Sequence, residues 1–118
     1  MTAIDMSAPD LVAVKHNQQR AWASGDYAAV AARIQSIAEL LVDAADLAAG
    51  STVLDVATGS GNAAIAAARS GGTVTGIDYV PALLERARIR AAAEGFEIDF
   101  AEGDAENLPF PNASFDAV

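Results

Sequence analysis

The chain has 118 residues, 53% of them hydrophobic, with no cysteine, and seven Lys and Arg against sixteen Asp and Glu for a formal charge of −9. This length suits one domain with a core that needs no covalent staples, and the missing cysteine excludes disulfide frameworks, cysteine zinc sites and thiol nucleophiles. No Lys or Arg follows Arg90, whereas seven acids do; nucleic-acid binding draws on Lys and Arg to neutralise phosphates, so a DNA or RNA partner is not expected.

The opening MTAIDMSAPD has acids and no Lys or Arg before Lys15. It lacks the positive region and apolar core of a secretory signal, and it reads as cytoplasmic. Residues 9–24 form a moderately amphipathic helix that ends near Ser24-Gly25, and His16 lies on its polar face as a solvated residue. Asp26 stands where an N-cap belongs. Val30, Ile34, Ile37, Leu40, Leu41 and Leu47 then recur at helical spacing up to Gly50, giving a second helix. Glu39, Asp43 and Asp46 interrupt its apolar run, which rules out a membrane span. Trp22 and Tyr27 flank the turn between the two helices.

The period changes after Gly50. Thr52–Val56 is a short β-rich run, a helix follows from about Asn62 to Ser70, and Gly71-Gly72 closes it. Thr73–Ile77 is a second strand, Pro81 opens a helix that runs to Glu94 before Gly95, and Phe96–Ala101 is a third strand. SFDAV at the end reads as the first half of a fourth. Strands alternating with helices imply βαβ units and a parallel sheet, so the fold class is α/β and Rossmann-like.

The chemistry concentrates in VLDVATGSGNAA, residues 53–64. A strand that breaks into a small-residue loop and then a helix is a phosphate- or nucleoside-binding device, because glycine allows close backbone approach and the helix start presents free N–H groups. Gly59, Gly61 and Ala64 satisfy G-x-G-x-x-G/A, and Asp78 follows about twenty residues on, where an acid grips ribose hydroxyls. Asp55 separates the candidate cofactors. In a nicotinamide-binding strand its position lies in the apolar core, where a carboxylate is costly. Here it belongs at a strand end, either holding the loop through backbone N–H bonds or answering a cationic ligand.

VLDVATGSG resembles the first motif of class I S-adenosylmethionine-dependent methyltransferases, an acid followed by Gly-x-Gly-x-Gly. GIDYVPALLERAR resembles their second strand with its ribose-binding acid, and GDAENLPFPNASFDAV resembles the end of the third strand and the approach to the fourth. The likeness is greatest to the small-molecule branch that includes ubiquinone and menaquinone biosynthesis enzymes. The resemblance implies S-adenosylmethionine as cofactor and a small organic methyl acceptor. It has Asp55 orient the methionine ammonium, the backbone at Ala57, Gly59 and Gly61 run under the methionine and ribose, and Asp78 take the ribose hydroxyls. Tyr79 would pack on the adenine, Asp104 would receive its amino group, and the Ala105 N–H would face a ring nitrogen. Ala57 departs from the family glycine, which requires a negative φ there. For Asp104 a plain Asx-type turn in a polar loop is the alternative. For Tyr27 the choice lies between reaching the cofactor's carboxylate end and a half-exposed packing role.

The implied organisation is a helical lid over residues 1–49 and the N-terminal half of the cofactor-binding domain over residues 50–118. The family sheet has seven strands in the order 3-2-1-4-5-7-6, with the acceptor pocket built from loops after strand four. The chain is therefore expected to be part of a longer protein, with strands 3-2-1 and the start of 4, no catalytic residue assignable, no metal, and an open sheet edge that invites self-association. The other readings are a nicotinamide-binding half-domain of an oxidoreductase, supported by Gly59, Gly61, Ala64 and Asp78, and a non-catalytic cofactor-binding fragment.

Overall fold

A computed structural model describes residues 7–118; residues 1–6, part of the opening stretch read above as lacking a secretory signal, lie outside the described residues. Helix α1 (Leu11–Ala23) starts where the Asp10 carboxylate accepts the Val12 and Ala13 N–H groups, each at 3.1 Å. Helix α2 (Tyr27–Arg33) starts in the same way, with Asp26 accepting the Ala29 N–H at 3.2 Å. The expected second helix is broken, however. It stops at Ile34 and restarts as α3 (Gln35–Ala45), which ends at Asp46 and not at Gly50. The cause lies in a later segment: the Asn62 amide donates to the Ala31 carbonyl at 2.8 Å, and the Ile34 N–H donates to that same carbonyl at 3.1 Å, so the chain tightens and changes direction. Asp46 terminates α3 in the left-handed region, φ 50°, which Asp tolerates better than most residues.

Strand β1 (Thr52–Val56) leads into α4 (Asn62–Arg69), β2 (Thr73–Asp78) into α5 (Pro81–Ala93), and β3 (Asp99–Glu102) follows. The three strands are parallel, with Thr52 opposite Thr73, Val56 opposite Ile77, Thr75 opposite Asp99 and Asp78 opposite Glu102. On the other edge of β1, the Leu54 N–H donates to the Ala117 carbonyl at 3.0 Å, and the Thr52 carbonyl accepts from Asp116 at 2.9 Å. The spatial order is thus 3-2-1 followed by the beginning of a fourth strand, as the sequence implied, and the N-terminal half of β1 is paired on both sides.

Strand β3 begins three residues later than expected. The Gly95 N–H reaches the Ala92 carbonyl and the Phe96 N–H reaches that of Ala91, both at 3.0 Å, so Phe96 still belongs to the closing turn of α5. Phe96 and Ile98 pack on the core as partly buried side chains.

That core joins α3, α4 and α5 to the sheet through Val42, Val53, Ile65, Val74, Leu84 and Phe100. Fully burying a side chain such as Ile65 contributes about 1.5–3 kcal/mol. Alanines 64, 66 and 67 keep the α4 face thin. On α3 the buried positions are Ala38 and Val42, while Ile37, Leu40 and Leu41 are more than half exposed. The helix therefore turns its small side chains inward, the reverse of what its apolar spacing suggested. Arg69 ties the outer surface together by pairing with Glu39 of α3 and with Glu94 at the end of α5. Among the described residues no helix is long and apolar enough to cross a membrane.

Candidate cofactor site

The C-terminal ends of the three strands open into one cavity of about 540 Å³. Its floor is the loop after β1, with Ala57, Thr58, Gly59, Ser60 and Asn62; its walls are Asp78, Tyr79 and Leu83 after β2 and Gly103 to Glu106 after β3. Helix α1 covers it with Leu11, Val14, Lys15, Gln18 and Trp22, and α2 adds Tyr27 and Ala31. A crevice beyond the carboxyl ends of parallel strands is where α/β sheets place their ligands.

The three acids sit at three depths. Asp55, partly buried in β1, does not line the cavity: its Oδ2 accepts the Thr58 hydroxyl at 2.7 Å and the Ala64 N–H at 3.1 Å, joining strand end, loop and α4 start. Burial pushes its pKa up, and the nearby Asp78 charge adds to that, against the opposing pull of the Thr58 and Ala64 bonds. Asp78 lines the cavity although it is only 5% exposed. One of its oxygens accepts the Gly59 N–H and the other the Val80 N–H, both at 2.9 Å. Carboxylate oxygens have further lone pairs, so these bonds aim the group at the cavity without saturating it.

Asp104 is the most exposed of the three. Its Oδ1 accepts the Glu106 N–H at 2.9 Å, which is an Asx-type turn, and its Oδ2 meets the Lys15 ammonium at 2.5 Å. Lys15 and the Glu106 N–H hold its carboxyl below the usual range, and the Lys15 pKa is raised in return, chiefly by Asp104. The turn alternative is thus present, and it leaves the side chain on the cavity wall. Ala105 follows on the same wall.

The loop itself is built on left-handed residues. Ala57 has φ 57°, not the negative value its methyl group called for, and Gly59 and Gly61 have φ 59° and 91°. The early end of β1 imposes this: the Thr58 N–H must turn back to the Ile77 carbonyl, 2.9 Å away, which continues the β1–β2 pairing past the bend. Gly61 is buried and faces away from the cavity; a Cβ there would lie 3.3 Å from that of Ala87 and 3.4 Å from the Phe100 ring. Gly59 faces inward, 3.6 Å from Tyr27 at its would-be Cβ, so the tyrosine reaches over the loop. The Trp22 ring meets Tyr27 edge-on, with centroids 5.2 Å apart. Seven of the nine expected contact residues therefore share the cavity, namely Tyr27, Ala57, Gly59, Asp78, Tyr79, Asp104 and Ala105, and Asp55 and Gly61 support it from behind.

A family model described as a methyltransferase domain matches residues 53–118, more than half of the chain. The chain belongs to the class I S-adenosylmethionine-dependent methyltransferase family. An uncharacterized protein of Mycobacterium tuberculosis is 48% identical over 107 residues, covering 90% of this chain and 38% of that protein. The demethylmenaquinone methyltransferase of Deinococcus radiodurans is 52% identical over 68 residues, 56% of this chain and 28% of that enzyme. Among solved structures, the Bacillus YcgJ protein superposes with a TM-score of 0.62 at 34% identity over 67% of this chain and 34% of its own. The [4+2]-cyclase SpnF gives 0.64 at 31% identity over 70% of this chain and 32% of its own. The chain spans about two fifths of the length of the Mycobacterium tuberculosis proteins that it matches.

Several residues in or around this cavity escaped the sequence reading. Thr58 and Ser60 sit within the quoted loop but have no motif role. Lys15 and Gln19 reach across from α1, with the Gln19 amide donating to the Tyr79 carbonyl. The only hint was that Lys15 is a base on a helix in an acid-rich chain. Arg90 of α5 bonds the back of the glycine loop, and nothing local in its sequence marks it.

Proposed function

We propose that this chain supplies the cofactor-binding part of an enzyme that transfers a methyl group from S-adenosylmethionine to a small organic acceptor. The observation that carries the reading is the convergence of Asp78, Asp104 and the left-handed loop Ala57–Gly61 on one cavity at the strand ends. The donor set fits: the wall carboxylates of Asp78 and Asp104 are acceptors for hydroxyl and amino groups, and Gly59, without a side chain, lets the loop backbone line the cavity. Asp78 would hold ribose hydroxyls, Asp104 the adenine amino group and Tyr79 a face of the ring. Asp55 acts from beneath by fixing the loop, and its carboxylate favours a cationic ammonium nearby.

The cofactor supplies an electrophilic methyl on a sulfonium. Methyl transfer is an in-line displacement that needs little acid–base chemistry, so the protein gains most by alignment and exclusion of water. The lid expected over residues 1–49 is carried, among the described residues, by Leu11, Val14 and Trp22, which cover the cavity with apolar surface. The small acceptor is in keeping with the demethylmenaquinone methyltransferase relative. Family membership favours S-adenosylmethionine over a nicotinamide cofactor.

The test is a thermal melt of the chain with S-adenosylhomocysteine and, separately, NAD. A ligand at 100 times its Kd adds about 2.7 kcal/mol. A rise with the homocysteine compound alone, abolished in Asp78→Ala, is expected; a rise with NAD alone would overturn the proposal.

A further inference from the structure

Behind the glycine loop, and outside the cavity, lies a closed polar ring centred on Arg90. One of its terminal nitrogens donates to the Ser60 carbonyl at 2.8 Å, the Asn62 side-chain oxygen at 2.6 Å and, more weakly, the Ser60 hydroxyl at 3.3 Å. The other donates to the Gln35 side-chain oxygen at 2.7 Å. Gln35 in turn donates to the Asn62 carbonyl at 2.9 Å, and Asn62 donates to the Ala31 carbonyl at 2.8 Å. The ring thus connects α5, the loop, the first residue of α4, and the break between α2 and α3.

We infer that Arg90 is a positioning residue that fixes the glycine loop in its binding shape and couples that shape to the placement of the N-terminal helices. Ser60 is 1% exposed and stands between two left-handed glycines; the peptide that joins it to Gly61 is held at its N–H by the Thr58 carbonyl, 2.9 Å away, and at its buried carbonyl by Arg90. The guanidinium supplies that hold on one side and meets Gln35 on the other, which requires two donors in a rigid planar fork; a lysine ammonium offers only a point charge. Arg90 does not itself line the cavity, but Ser60, Asn62 and Ala31 do. Losing the fork would leave the buried Ser60 carbonyl to find another donor, and a rotation of that peptide moves the floor of the site. Gln35 and Asn62 carry the same constraint to Ala31, where the helix changes direction under Tyr27.

The affinity part of this inference rests on the reading of the loop as the cofactor cradle; the loop-rigidity part does not. The full 118-residue chain and its Arg90→Met and Arg90→Lys variants would be compared by amide hydrogen exchange and by S-adenosylhomocysteine titration. Three amides report the loop: Gly59, bonded to Asp78; Gly61, bonded to the Thr58 carbonyl; and Ala64, bonded to Asp55. The expected result is that these exchange at least about tenfold faster in both variants while the amides of Val74 and Ile77 in β2 keep their rates. Unchanged loop exchange, or acceleration of loop and sheet in parallel, would overturn it. Should Arg90→Met not fold, Arg90→Lys and Gln35→Leu carry the same comparison. In titration, binding on the order of tenfold weaker is expected for both Arg90 variants, and equal binding by parent and variants would refute the coupling to the cofactor. If the parent itself binds none, the proposed cofactor fails, and selective loop exchange still establishes the role of Arg90.

Discussion

Ala57→Gly should stabilise the chain although it removes atoms and adds no contact. At φ 57° the Ala57 methyl crowds its own backbone, and a non-glycine residue in this region costs roughly 1–2 kcal/mol. Glycine escapes that cost but makes the unfolded chain more flexible, which offsets about 0.4–1 kcal/mol. The net gain is then about 0.5–1 kcal/mol. For a domain of this length, each kcal/mol moves the midpoint by several degrees, so Tm should rise by about 2–5 °C in a melt followed by circular dichroism. Ala113 supplies the control, because it has φ 58° in an exposed loop and does not line the cavity. Ala113→Gly should give a gain of similar size, and the double variant should show the sum. A fall in Tm for Ala57→Gly alone would refute the reasoning and show that the methyl group makes a contact worth more than the strain.

Asp55 should separate stability from binding. Its folded pKa is raised, so the folded state holds its proton more tightly than the unfolded one, and stability falls as pH rises from the ordinary value of 3.8 through the raised one. Asp55→Asn should remove that slope in melts taken from pH 3 to 8, whereas Asp55→Ala, which leaves the Ala64 N–H and Thr58 hydroxyl without their acceptor, should lose about 1–3 kcal/mol. Lys15→Met should leave Tm nearly unchanged and, if Asp104 holds the adenine amino group as proposed, tighten S-adenosylhomocysteine binding severalfold in calorimetric titration, since Asp104 Oδ2 then loses its Lys15 partner; weaker binding would show that Lys15 assists the ligand. The Asp104–Lys15 pair has the opposite pH sign to Asp55, its contribution being present above 3.8 and fading as pH falls through the lowered value. Gly61→Ala, with φ 91° and neighbours at 3.3 and 3.4 Å, should cost about 1–3 kcal/mol in a denaturant titration.

Legibility in the sequence followed the range of the forces involved. Helices α4 and α5 and strands β1 and β2 are bounded by local chemistry, the glycines after Ser70 and Glu94 and Pro81 at the first turn, and they appear within a residue of their expected limits. The α2–α3 break is set by Asn62, some thirty residues away, so no periodicity within residues 26–49 announces it. The inward face of α3 was not legible for a related reason: α3 packs against α4, whose buried alanines leave room for Ala38 and Val42, while Ile37, Leu40 and Leu41 stay exposed. The site acids were visible because motif spacing encodes strand ends. Their partners were not, because Lys15, Gln35 and Arg90 meet them or the loop only through tertiary packing.

The burial of the three acids assigns them different energetic work. Asp55 is tied to a hydroxyl and a helix N–H beneath the loop, so any ligand contact it makes is added to a structural task, and removing it disturbs the floor itself. Asp78 is aimed by two backbone N–H groups and is already desolvated at 5% exposure, so a ligand hydroxyl would meet a preorganised acceptor without first stripping water from it. Asp104 alone has a charged side chain from another element on its outward oxygen, and at 40% side-chain exposure it remains in exchange with solvent. Competition between the chain's own Lys15 and a ligand is therefore confined to the adenine end of the proposed site, and salt should modulate affinity there far more than at Asp78. Titrations of S-adenosylhomocysteine at 50 and 500 mM salt should differ in the parent chain and converge in Lys15→Met. Equal salt dependence in the two would place the ionic control elsewhere in the cavity.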